Sequence, residues 1–146
     1  MDAGSARYSP VLPWLRLYGF GAAAGSLIGI NLEFGSQVTR DGVVFRYGDV
    51  TDTGLPTGHL DAITCMSVIE HGVPLEGFVA ESARLLRPGG VLVVVDALDG
   101  DRVPRPAVRD ESTVSARAVD RLIREDEHWL SAVVPSGTGV LIAVRR

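Results

Sequence analysis

Along this chain the spacing of apolar and polar positions changes several times, and each change marks an element. "SLIGINLEF" (26–34) is a short apolar run and predicts a buried strand. "GSQVTRDG" (35–42) is polar and reads as a turn or one short helix, whereas "VVFRYGD" (43–49) is rich in strand formers. A turn-rich stretch, "VTDTGLPTGH", separates it from "LDAITCMSV" (60–68), another strand. "PLEGFVAESARLLRPGG" (74–90) carries helical periodicity, with Leu75, Phe78, Val79, Ser82, Leu85 and Leu86 near one face. Pro88-Gly89-Gly90 stops that helix and feeds "VLVVVDAL" (91–98), a β-branched run without alternation that predicts a strand covered on both faces. Residues 99–114, with two prolines and many charges, read as a loop. A second helix is predicted over "SARAVDRLIRED" from an N-cap at Ser115, with Ala118, Val119, Leu122 and Ile123 on one side. "WLSAVVPSGTGVLIAVRR" closes the chain as an antiparallel hairpin. Alternating strands and helices imply an α/β domain with a mostly parallel sheet. Ligands in such sheets lie at the carboxyl ends of the strands.

Composition narrows the classes. A chain of 146 residues fits one domain, here 1–146, with 1–26 as an atypical N-terminal segment. Apolar residues are 46% and charged residues 22%, an ordinary globular balance. The net charge of −4 and the scattered arginines argue against a nucleic-acid partner. One cysteine, Cys65, cannot pair within the chain and fits a reducing, cytoplasmic setting. The histidines and that cysteine are never closely spaced, so no metal site is expected. The apolar stretch 11–32 has spanning length, but Pro13, Arg16 and repeated glycines break it, so a membrane partner is not expected.

Two segments after strands carry candidate chemistry. In "GDVTDTGLP", Asp49 can accept a hydrogen bond from an exocyclic amine while the next N–H serves a ring nitrogen; it can equally cap its own turn. In "DAITCMSVIEHG", Ser67, Glu70 and His71 crowd one turn, where a Glu-His pair can orient a substrate or move a proton, or simply be solvated. No glycine flanks Ser67 as a hydrolase elbow requires.

In this order, "GDVTDTGLP", "LDAITCMSVIEH", "EGFVAESARLLRPGG" and "VLVVV" resemble consecutive landmarks of the class I S-adenosylmethionine-dependent methyltransferases, small-molecule branch. The resemblance implies a Rossmann-like sheet of strand order 3-2-1-4-5-7-6 with S-adenosylmethionine lying across the strand ends. It implies a small-molecule methyl acceptor. It puts Asp49 and Val50 at the adenine, Met66 and Ser67 at the methionine part, and Glu70 and His71 on the substrate side as catalytic candidates. Gly19 and Gly21 can be laid on the family's glycine turn, with 15–20 as the central first strand, and Asn31 or Glu33 on its ribose acid. That register departs from the family's pattern, since Ala23 takes the third glycine position and nine residues separate Gly21 from Asn31. If 15–20 does not fill the central position, the neighbouring strands close the gap or a second chain fills it, making a homodimer. The shortened front leaves a second reading, a methyltransferase-like binding or assembly module without cofactor.

Overall fold

The computed structural model describes residues 1–3, 27–40 and 42–146. Among them, eight strands form one sheet: β1 (Asp2–Ala3), β2 (Leu27–Asn31), β3 (Val38–Arg40), β4 (Val43–Tyr47), β5 (Leu60–Cys65), β6 (Leu86–Val95), β7 (Trp129–Val134) and β8 (Val140–Arg145). A 3-10 turn spans Ile69–His71, and two helices, α1 (Leu75–Leu85) and α2 (Glu111–Glu125), complete the described elements.

The strand order is β3-β4-β2-β1-β5-β6-β8-β7. From β4 through β6 neighbouring strands run parallel, while β3 and β8 are antiparallel to their inner neighbours. With β3 set aside, this is the 3-2-1-4-5-7-6 order that the family resemblance implied.

Four expectations are corrected. The central position between β2 and β5 is taken by Asp2–Ala3, which pairs with Gly29 and Ile30 on one side and Thr64 and Cys65 on the other. Residues 15–20 therefore do not fill it, and they lie, with Gly19 and Gly21, outside the described residues. The segment read as a turn or short helix contains β3, which zips onto β4 through Val38, Thr39 and Arg40. Helix α2 begins at Glu111 after Asp110, not at Ser115. Finally, the run 91–95 is not equally covered on both faces: Leu92 and Val94 are buried, whereas Val91, Val93 and Val95 are half-buried.

The core lies where the helices meet the sheet. α1 contributes Phe78, Val79 and Leu85, and α2 contributes Ala116, Val119 and Ile123. They close over Ile63, Leu92, Val94, Leu141 and Ala143, all fully or nearly fully buried. Burying a side chain of this size contributes about 1.5–3 kcal/mol relative to exposure, so the helix-to-sheet seam holds the strand ends in place. No helix of the described residues is long and apolar enough to cross a membrane.

Candidate functional site

The carboxyl ends of β2, β4 and β5 open onto a cleft of about 490 Å³. From the β2 end it is lined by Asn31, Leu32 and Glu33, and from the β4 end by Gly48, Asp49 and Val50. Past β5 its wall runs through Ser67 and Val68 to His71, Gly72, Val73 and Pro74. A volume in this range suits a cofactor-sized ligand.

Local chemistry explains each turn. Asn31 ends β2, and its Oδ1 accepts the Glu33 N–H at 2.8 Å, folding the chain back at the cleft edge. Gly48 must lack a side chain, because a Cβ there would stand 2.7 Å from Cγ2 of the fully buried Ile30. This close approach draws the two strand ends together, with the Gly48 N–H directed at the Asn31 carbonyl at 3.4 Å. Asp49 Oδ1 accepts from the Thr51 N–H at 2.8 Å and the Thr51 hydroxyl at 2.7 Å. Asp49 thus caps its turn while also lining the cleft. Ser67, just past β5, has φ +50°, a left-handed conformation that costs a non-glycine residue of order 1 kcal/mol and is frequent at ligand sites.

The loop carrying Asp49 is fastened to α1. Glu81, buried in that helix, accepts from the Thr53 N–H at 2.9 Å and the Thr53 hydroxyl at 2.7 Å. Arg84 donates to the same carboxylate at 2.7 and 2.8 Å and to the Leu55 carbonyl at 2.8 Å. Arg84 above all, with Thr53, outweighs the cost of burial and holds the Glu81 pKa down at about 2. From the β4 side, Arg46 donates to the Thr53 carbonyl.

Beside the cleft lies a smaller pocket of about 110 Å³, reached past Ser67, which lines both. Its polar wall is Glu70, Asp96, Asp99 and Ser112. Burial pushes the Asp99 carboxyl up, but hydrogen bonds from Thr113, Arg102 and Ser112 bring it below its ordinary value. His71 Nε2 lies 3.8 Å from Glu70 Oε1, with His71 largely exposed.

Of the sequence candidates, the cleft gathers Asn31, Glu33, Asp49, Val50, Ser67 and His71. Glu70 sits in the adjoining pocket instead, and the half-buried Met66 is not among the residues lining either. Gly72, Val73 and Pro74 were missed; the signal was the glycine closing "EHG", which adopts φ +72°. The Thr53–Glu81–Arg84 clamp was also missed, although Glu81 and Arg84 stand at i,i+3 on the predicted helix.

A family model described as a methyltransferase domain matches residues 3–94, a span that starts in β1 and ends in β6. The chain belongs to the methyltransferase domain family. Over 68 residues the domain is 53% identical to a Mycobacterium avium (strain 104) protein named among the O-methyltransferases, covering 47% of this chain and 31% of that protein. A Mycobacterium ulcerans (strain Agy99) relative with the same kind of name is 54% identical over 68 residues, covering 47% of this chain and 30% of its own length. The methyltransferase domain thus matches about a third of the length of these curated relatives.

Among solved structures, a Corynebacterium glutamicum protein superposes with TM-score 0.76 at 21% identity, covering 99% of this chain and 70% of that one. An O-methyltransferase from Bacillus cereus, solved with S-adenosylhomocysteine, gives TM-score 0.72 at 16% identity, covering 99% and 72%. These likenesses establish the Rossmann-like methyltransferase fold.

Proposed function

We propose that the protein transfers a methyl group from S-adenosylmethionine to a hydroxyl of a small molecule. The observation that carries this is the 490 Å³ cleft at the ends of β2, β4 and β5, in a chain of the methyltransferase family. The names of the relatives favour oxygen as the acceptor atom.

The residues fit an adenosyl group. Asn31 and Glu33 offer acceptors for ribose hydroxyls, Asp49 and the Val50 backbone suit an adenine edge, and Val50, Val68 and Val73 give an apolar wall. Ser67, on the cleft wall past β5, suits the methionine part, whereas Met66 lines neither pocket. With β1 at Asp2–Ala3, the glycine that follows the first strand is Gly4 rather than Gly19 or Gly21.

Bound S-adenosylmethionine would supply a sulfonium-activated methyl carbon with a neutral thioether as leaving group. The protein's part is to hold the acceptor oxygen in line with that carbon and to take its proton. The His71 imidazole, beside Glu70, would accept the proton of the acceptor hydroxyl. Glu70, on the wall of the adjoining pocket, faces the acceptor side. The single cysteine and the acidic balance suit a cytoplasmic enzyme.

Calorimetry with S-adenosylhomocysteine should give a dissociation constant below about 100 µM, near −5.5 kcal/mol. Asp49→Ala should weaken it about tenfold or more. No heat and no thermal shift at millimolar ligand would replace this reading with the cofactor-free module.

A further inference from the structure

The outer edge of β7 points to an interface with a second copy of this chain. β7 pairs with β8 through all six of its residues, Trp129–Val134, and among the described residues no strand lies on its other side. A free edge of this length is a template for another strand unless charges, proline or a bulge blunt it. β7 reads "WLSAVV", with none of these. The opposite edge, β3, is three residues long and carries Arg40.

The side chains of β7 alternate. Trp129 is buried and Ser131 and Val133 are half-buried, while Leu130, Ala132 and Val134 face out. Leu130 is 63% exposed, Val134 41%, and Ile142 on the neighbouring strand 36%. The latter two extend one apolar strip across β7 and β8, since Ile142 stands opposite Ala132.

We propose that two copies join by antiparallel pairing of β7 with β7 about a two-fold axis through Ala132. Symmetry restricts the centre to a residue. A two-fold axis normal to the sheet leaves each face on its own side, so opposite residues must share parity. Centred on Ala132, the register sets exposed Leu130 opposite Val134 of the other copy and Ser131 opposite Val133. Cross-strand apolar pairs of this kind are favourable. The product is one continuous sheet through both copies, with each cleft, at the ends of β2, β4 and β5, far along the sheet from the joint. This dimer does not depend on the methyltransferase activity proposed above.

The test uses the full chain. Analytical ultracentrifugation from about 1 to 100 µM should show a concentration-dependent dimer. Ala132 is the sole β7 residue that meets its own counterpart in this register, at the 4.5–5.5 Å Cα spacing of an antiparallel pair, roughly what a disulfide needs. Ala132→Cys treated with oxidised glutathione should give a covalent dimer that dithiothreitol reverses. Ser131→Cys should not, nor should the unaltered chain, whose Cys65 is buried. Leu130→Lys should be monomeric at every concentration while keeping the unaltered circular dichroism spectrum. A single-chain mass throughout, cross-linking through residue 131 rather than 132, or a Leu130→Lys chain that still dimerises would each overturn the proposal. Loss of cofactor binding with the dimer intact would count against the function alone.

Discussion

At Glu81 one carboxylate receives four hydrogen bonds, two from Thr53 and two from Arg84, and so ties the loop after β4 to α1. Glu81→Ala leaves the Thr53 donors and the Arg84 guanidinium without this partner and should cost about 2–3 kcal/mol, read as a lower denaturation midpoint. Because the folded pKa, about 2, lies below the usual 4.5, the stabilisation is complete above the ordinary carboxylate range and disappears as pH falls from 4.5 towards 2. Glu81→Gln should remove that part of the acid dependence in denaturation measured against pH. Gly48→Ala is a steric test of the same region: its methyl would press on Ile30 and should destabilise by about 1–3 kcal/mol. None of this shows in hydrophobic periodicity. Glu81 reads as one more charge on a helix, and its burial becomes evident only when the loop that covers it is placed.

Between β6 and α2, the segment 99–110 reads from its prolines and charges as a plain loop, yet α2 gathers it in. The Arg117 guanidinium donates to the carbonyls of Val103, Val108, Arg102 and Arg105 at 2.6–3.2 Å. Arg117→Lys cannot reproduce this planar fork. It should speed amide exchange and proteolysis across 102–109 while leaving β5 and β6 protected. The same region shows why the helix start was misplaced. Thr113 is fully buried, but it is polar and is satisfied by Asp99, while the apolar Val114 is exposed, so the buried side of α2's first turn carries no apolar signal. α1 as far as Leu85, the buried strands and the closing hairpin were legible because their apolar faces repeat at helix or strand spacing over five residues or more, whereas Leu86 to Gly90, read as the helix end, open β6.

For the molecule as a whole, alternation of elements gave a mostly parallel sheet and the family resemblance implied its strand order, but neither located the central strand. β1 has two residues, too few for any period, and the β-rich 15–20 segment drew the assignment instead. Correcting it leaves residues 15–20 without the role sequence assigned them, while Asn31, Glu33, Asp49, Val50, Ser67 and His71 gather at one cleft. On one side of β1 stand β3, β4 and β2; on the other stand β5 to β8 with both helices. The second group also holds most of the large core cluster, so its amides should exchange more slowly than those of β2 and β4.

The shortness of β1 also bears on the ligand. Asn31, Glu33 and Asp49 belong to one flank of that narrow isthmus, and Ser67 through Pro74 to the other. A nucleoside seated there would act as a rivet between the two flanks, beside the four backbone pairings of β1 and the Glu81 tie. Melting curves recorded separately for each flank should then coincide and shift upward together once S-adenosylhomocysteine is added.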